Sequence, residues 1–214
     1  GVFVNLYTAA TADVTLADGT PLKIAQETDY PNSGEIGLTL ELQKDTTFPV
    51  YLRKPRWAKS VAVTVNDQPV EPEAADDGLI AVSRSWKDND RVQVSLPMEW
   101  RFVAGRKAQV GRVVLLRGPQ VFTYNPERNP DLAKFDPRLM TLDPGAGVEG
   151  PFPDDSVRPG GMACKVRVWG PGVWYPFSES QEAVLTEFAD PGSTWTYFQI
   201  PNPTDPVVVQ EELT

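Results

Sequence analysis

The stretch EIGLTLEL, residues 35–42, alternates apolar side chains with polar or small ones along its whole length. Successive side chains of a β-strand point to opposite faces of its sheet, so the alternation places Ile36, Leu38, Leu40 and Leu42 on one face. A helix would need apolar residues three and four positions apart instead. The stretch therefore predicts a half-buried strand and an all-β fold.

Similar runs recur through the first half of the chain, separated by Gly, Pro, Asn or Asp. They include Val61, Val63 and Val65, then Leu79 to Val82, then Val92, Val94 and Leu96. Strands that follow each other every 10 to 15 residues or so are typical of a β-sandwich. Asp18-Gly19 predicts a hairpin turn, because both residues tolerate the positive φ angles that tight turns need.

Helices are nearly excluded by the 21 prolines spread along the chain, since an interior proline removes a helix hydrogen bond and clashes with the preceding turn. At most one short helix is expected, in residues 178–184. From about Trp100 the pattern changes, and residues 125–161 carry many Pro, Gly and Asp, which predicts long loops. We therefore expect two consecutive antiparallel, jelly-roll-like β-sandwich modules, residues 1–103 and residues 104–214.

The formal charge of the 214-residue chain is −9, which would repel a phosphate backbone and disfavours nucleic acid as a partner. The apolar runs are far shorter than the roughly 20 residues that cross a bilayer, so a membrane is not expected as a partner either. The opening Gly1-Val2-Phe3-Val4 resembles the middle of a longer gene product. No cellular compartment is indicated.

Catalytic chemistry has few candidate residues, because the chain has no histidine and its one cysteine is Cys164. That composition excludes ordinary zinc sites and every His-assisted triad, and Cys164 is expected to be an inert, partly buried thiol. Glycosidase chemistry would need two facing carboxylates. The candidate pairs are Glu27 with Asp29, Asp76 with Asp77, Asp88 with Asp90, and Asp154 with Asp155. Most lie in stretches typical of solvated turns, so no catalytic residue is assigned, and calcium held by the Asp88 or Asp154 loops is kept as an alternative.

Aromatic residues are the more promising class for ligand binding. The segment from Trp169 to Phe177 holds Trp169, Trp174, Tyr175 and Phe177, broken by Gly and Pro. This loop predicts either a platform that stacks on sugar rings or an interface to another domain. The arginines Arg53, Arg56, Arg112 and Arg117 are expected to form structural ion pairs with Glu27 and Asp29.

Several short motifs in order resemble the C-terminal region of the β-L-arabinofuranosidases of glycoside hydrolase family 127. They are Val4 to Tyr7, Gln26 to Pro31, Leu52 to Ala58, Val65 to Val70, Trp86 to Asp90 with Leu96 to Met98, and Gly111 to Pro119. The resemblance covers residues 1–122 well and the rest more loosely. Lys54 and Arg56 depart from the family pattern, which has an apolar residue and a glycine there.

This resemblance implies an N-terminal (α/α)₆ barrel followed by β-sandwich domains, of which the chain would hold only the latter. The family's cysteine nucleophile, acid/base glutamate and zinc would sit on the barrel, and none of these positions has a counterpart here. We therefore expect a non-catalytic accessory pair of domains with the barrel as partner, bracing it and supporting a homodimer. Two alternatives stay open: a module that binds arabinose-containing glycans through the Trp169 to Phe177 loop, and a hydrolase that uses an unrecognised carboxylate pair.

Overall fold

Strands dominate the computed structural model, which describes residues 1–75, 78–172 and 178–210. The contacts between residues divide the chain into two units, Gly1–Met98 and Glu99–Thr214. Only short 3-10 turns are helical among the described residues, and no helix there is long and apolar enough to cross a membrane. The all-β prediction is confirmed.

The first unit contains ten strands in two sheets. They are β1 Val2–Val4, β2 Ala10–Thr15, β3 Pro21–Thr28, β4 Glu35–Leu42, β5 Thr46–Arg53, β6 Ala62–Val65, β7 Gln68–Val70, β8 Glu73–Ala74, β9 Leu79–Trp86 and β10 Asp90–Ser95. One sheet has the order β1-β5-β9-β8, and the other has the order β2-β3-β4-β10-β6-β7. Two sheets of this kind form the sandwich that the sequence predicts for this unit.

The strand β4 behaves as its alternation predicts. It lies between β3 and β10, and Ile36, Leu38 and Leu40 are almost fully buried. The matching residues of β10, Val92 and Val94, enter the same core. The Asp18-Gly19 hairpin is also confirmed, because β2 and β3 pair on either side of it and Gly19 has a φ of 84°. Local pattern and tertiary burial agree here.

The second unit contains nine strands. They are β11 Trp100–Ala104, β12 Arg112–Arg117, β13 Gln120–Tyr124, β14 Thr141–Leu142, β15 Glu149–Pro153, β16 Met162–Trp169, β17 Gln181–Glu187, β18 Tyr197–Gln199 and β19 Val208–Val209. Its short 3-10 turns are Lys107–Gln109, Pro126–Arg128, Pro137–Leu139 and Pro144–Ala146. Because β11 pairs with β12, the strand belongs to this unit, whereas the expected boundary at residue 103 would have divided it.

The strands of the second unit form one sheet that closes on itself. Pairing runs from β12 to β13, β17, β16, β14 and β18, and then returns to β12. Closure gives each of these six strands a partner on both sides over part of its length. The enclosed core is built from alternate residues such as Leu115, Phe122, Val166 and Leu185. Long-range closure of this kind is invisible in a single sequence.

Two sequence expectations are corrected in this unit. Residues 178–184 do not form a short helix; instead β17 begins at Gln181 and directs Ala183 and Leu185 into the core. The stretch of residues 125–161 is not only loop, because β14 and β15 pair there with β16. In both places pairing with β16 stabilises the strands, and the local sequence pattern does not reveal that pairing.

Candidate functional site

The candidate carboxylate pairs lie in turns and accept hydrogen bonds there. Asp90 is buried, and its two oxygens accept from the side chain of Asn66, at 2.8 Å, and from the amide of Lys87, at 2.9 Å. Asp88 accepts from the amide of Leu42 at 2.9 Å. Asp90 therefore holds the turn between β9 and β10, and Asp88 connects that turn to the end of β4.

The pair in the loop between β15 and β16 has a similar role. Asp154 accepts from Arg128 and from the Ser156 amide, and Asp155 accepts from the amide of Gly160 at 2.7 Å. Burial alone would raise the pKa of Asp154, but the bonds from Ser156 and Arg128 outweigh it and hold the pKa below its usual value. A general acid needs the opposite shift. Asp76 and Asp77 lie outside the described residues.

Glu27 and Asp29 are exposed at the end of β3, and Arg53 is exposed at the end of β5. Among the described residues no ion pair joins Arg53 to either carboxylate, so the expected pairs with Arg53 are not formed. Asp29 instead closes a turn, because its carbonyl oxygen accepts from the Asn32 amide at 2.8 Å. Arg117 lies in β12 of the second unit, and its pairing stays a prediction.

Sequence reasoning missed two buried carboxylates of the second unit, Glu187 and Asp190. Both are 7% exposed. Asp190 accepts from the Thr186 hydroxyl at 2.7 Å, the Asn125 amide side chain at 2.9 Å and the Gly192 backbone amide at 2.8 Å. The turn sequence Asp190-Pro191-Gly192 could have indicated a capping aspartate. Nothing local distinguishes Glu187 from a solvated residue at a strand end.

Asp190 should make the stability of the second unit depend on pH. Burial alone would raise its pKa, but the hydrogen bonds from Thr186, Asn125 and Gly192, with the charge of Arg128, hold the pKa below its usual value. A depressed pKa in the folded state stabilises the fold above the unfolded value of about 3.9, and this contribution is lost as the pH falls through the lower folded value. Urea unfolding should therefore show wild type losing stability below about pH 5.

The matched variant for this prediction is Asp190→Asn, which should be less stable than wild type at pH 7 by about 1–2 kcal/mol because charged hydrogen bonds are lost. Its stability should also fall less steeply with acid. Asp131→Asn changes an exposed aspartate of the same unit and should keep wild-type stability at pH 7. Identical acid profiles for Asp190→Asn and wild type would contradict the role assigned to Asp190.

Metal ligands do not cluster in the part of the chain that the structure describes, where no group of three or more Cys, Asp or Glu side chains could hold an ion. The calcium alternative therefore gains no support from the Asp88 or Asp154 loops. Cys164 is fully buried in β16, and burial raises the pKa of its thiol. Cys164 and the loop carboxylates therefore do not fit a zinc site like the one that the resemblance places on another domain.

The aromatic loop is described only in part. Trp169 is 5% exposed, and its indole nitrogen donates to the Ser178 carbonyl at 2.9 Å. It packs in the second unit and offers little ring surface to a sugar, which corrects its assignment to an exposed platform. Trp174, Tyr175 and Phe177 lie outside the described residues. Because they do, sugar binding by this loop stays a prediction. A cavity of 290 Å³ borders the described segment Gly170 to Gly172.

A second aromatic group, which the sequence did not single out as a site, lies beside β1 in the first unit. Phe3 stacks on Tyr51 with ring centroids 4.2 Å apart and planes 7° apart, because the parallel pairing of β1 with β5 places the two residues side by side. Tyr7 meets the edge of Tyr30 at 5.8 Å. We define the β1 face as Phe3, Leu6, Tyr7, Tyr30, Tyr51, Arg53 and Pro55.

A cavity of 380 Å³ opens within the β1 face, lined mainly by Leu6, Tyr7, Tyr30, Arg53 and Pro55. Tyr7 is buried, and its hydroxyl donates to the Arg53 carbonyl at 2.6 Å. Burial raises the pKa of the Tyr7 hydroxyl further than that hydrogen bond lowers it, so the group stays protonated. The face offers apolar contact and one guanidinium, which suits binding rather than catalysis.

Comparisons with known proteins agree with the sequence resemblance. Residues 1–98 match the family model described as the middle domain of β-L-arabinofuranosidase, GH127. No curated protein matches the chain. A GH127 β-L-arabinofuranosidase from Geobacillus stearothermophilus T6 has a similar fold, with a TM-score of 0.79 and 23% identity, and the match covers 92% of this chain and 33% of that one.

Two further solved structures are similar. A GH127 β-arabinofuranosidase has a TM-score of 0.78 at 23% identity, covering 92% of this chain and 34% of its own. A glycoside hydrolase has a TM-score of 0.73 at 22% identity, covering 94% and 36%. The chain thus spans about a third of the length of these proteins. The first unit, Gly1–Met98, is therefore similar to the GH127 middle domain, and the chain as a whole shares the fold of part of these glycoside hydrolase structures.

Proposed function

We propose that the chain is a non-catalytic accessory part of a GH127-type glycoside hydrolase, in which the two β units brace a catalytic barrel carried elsewhere on the polypeptide. The observation that carries the proposal is the match of residues 1–98 to a middle domain, in a chain that spans only a third of its solved relatives.

The carboxylates support the non-catalytic part of the proposal. Among the described residues, the carboxylates that could act as a pair accept hydrogen bonds in turns, as Asp90 and Asp154 do, or are exposed at a strand end, as Glu27 is. Glycoside hydrolysis needs a carboxylic acid with a raised pKa facing a second carboxylate across the scissile bond. The pKa shifts of Asp154 and Asp190 run downward, which disfavours either as an acid.

The first test is an assay of the purified 214-residue chain against an aryl β-L-arabinofuranoside, read beside a glycan array with and without calcium. We expect no turnover and no specific binding, whereas a longer polypeptide that includes the chain should hydrolyse a glycoside. Glycan binding that Trp174→Ala abolishes would favour the carbohydrate-binding alternative. Turnover by the chain itself, lost on one acidic substitution, would overturn the proposal.

A further inference from the structure

Exposed apolar side chains of the first unit are concentrated at its β1 face. Among the described residues of this unit, the large hydrophobic side chains left exposed are Phe3, at 55%, and Leu6, at 78%. Single exposed apolar residues are ordinary on a soluble protein. Phe3 stacks on Tyr51, which shares the outer face of β5 with Arg53, and Arg53 lines the cavity together with Leu6. The two exposed side chains therefore belong to one patch, which marks an interaction site.

The backbone beneath this patch is held in place. Gln26 is buried, and its side-chain amide donates to the carbonyl oxygen of Leu6 at 3.1 Å and to that of Thr8. The next side chain, that of Tyr7, turns inward and donates to the Arg53 carbonyl. With the carbonyls of Leu6 and Thr8 and the side chain of Tyr7 held in this way, the Leu6 side chain stays outside the core. An ordered apolar residue loses little conformational entropy on binding, so the patch is organised for docking before a partner arrives.

The chemistry of the face suits a protein surface better than a sugar. Sugar sites stack rings on flat aromatic faces, but one face of Phe3 is already covered by Tyr51, and Leu6 has no ring. Tyrosine side chains around a cavity, here Tyr7 and Tyr30, are typical of the centre of a protein interface. The exposed guanidinium of Arg53 at the rim favours a partner with an acidic group at its edge.

We infer that the β1 face is the docking surface for a further domain of the same polypeptide, one that presents an apolar surface with an acidic rim. The solved proteins that share this fold are about three times as long as the chain, so their remaining domains are tethered beside it. Tethering gives such a domain an effective concentration in the millimolar range, which favours it over a free partner. The inference rests on the proposed function.

Cysteine labelling tests this surface directly, because the native Cys164 is fully buried and should not react in the folded chain. Leu6→Cys and, separately, Phe3→Cys place a thiol on the face. Thr11→Cys places one at an exposed position of β2, on the other sheet of the same unit. Each variant is made in the 214-residue chain and in the longest polypeptide that carries this sequence, and maleimide labelling at each position is followed by peptide mass spectrometry.

We expect the thiols at positions 3, 6 and 11 to react at similar rates in the 214-residue chain. In the long polypeptide, labelling at positions 3 and 6 should slow at least tenfold while labelling at position 11 keeps its rate. Equal rates at position 6 in the two proteins would overturn the inference. So would protection of position 6 in a dimer of the 214-residue chain, or a gene product that consists of these 214 residues alone.

Glycoside hydrolysis by the unsubstituted long polypeptide is read in parallel, so that the two ideas fail separately. If the long polypeptide is active but position 6 stays reactive, the proposed function stands and only the inference of a docking surface is overturned. A long polypeptide without hydrolase activity would remove the proposed function, whatever the labelling shows.

Discussion

Trp86→Ala should destabilise the first unit by about 3–5 kcal/mol, the range found when a large aromatic is removed from a protein core. Trp86 is fully buried at the end of β9, and its indole nitrogen donates to the Phe48 carbonyl at 2.8 Å. The ring also packs against Phe48, at 6.1 Å between centroids, and lies under the Arg84 guanidinium. The substitution opens a cavity and leaves the buried Phe48 carbonyl oxygen without its hydrogen-bond donor. Urea unfolding followed by circular dichroism would measure the loss in free energy of unfolding.

Two tryptophan variants separate these contributions. Trp86→Phe keeps much of the volume but removes the donor to Phe48, so it should lose less stability than Trp86→Ala. Trp57→Ala removes a half-buried tryptophan of the same unit and should also be milder. If the free energy of unfolding of Trp86→Ala lay within 1 kcal/mol of wild type, about the net contribution of one hydrogen bond, the core position of this ring would be contradicted.

The fold class was predictable because it depends on local patterns that the tertiary structure reinforces. In β4 the alternation of Ile36, Leu38 and Leu40 coincides with burial between β3 and β10. The hairpin at Asp18-Gly19 is likewise specified by its own residues. Closure of the second sheet depends instead on pairings between distant strands, such as β12 with β18, and local pattern carries no signal for those.

The candidate site was less predictable for a related reason. The motif Val4 to Tyr7 resembles a family feature, but its sequence does not show that Leu6 is exposed or that Gln26, a residue of another strand, holds the Leu6 carbonyl. The sequence also favoured the aromatic loop, where Trp169 is in fact buried. Residue type indicates what a side chain can bind, whereas long-range packing decides whether the side chain is presented.

Glu187→Gln should destabilise the second unit by about 3 kcal/mol, although the substituted residue keeps nearly the same shape. The Glu187 carboxylate accepts from Arg158 Nε at 2.6 Å and Nη2 at 2.8 Å, from Gln120 Nε2 at 2.9 Å and from the Met162 amide at 3.0 Å. A glutamine amide at position 187 offers only one acceptor oxygen, and its NH₂ group would face the N–H donors of Arg158, Gln120 or Met162. Removing one partner of a largely buried ion pair costs about 3–5 kcal/mol, and the partial exposure of Arg158 argues for the lower end.

Glu182→Gln is the matched control, since Glu182 lies on the same strand, β17, and forms an exposed ion pair with Lys165 at 3.1 Å. An exposed pair contributes about 0–1 kcal/mol, so this variant should unfold in urea close to wild type. Because Arg158 belongs to the loop between β15 and β16, Glu187→Gln should also expose that loop to limited proteolysis, with cleavage in residues 154–161. Equal stability of Glu187→Gln and Glu182→Gln would show that the loop is held by other contacts.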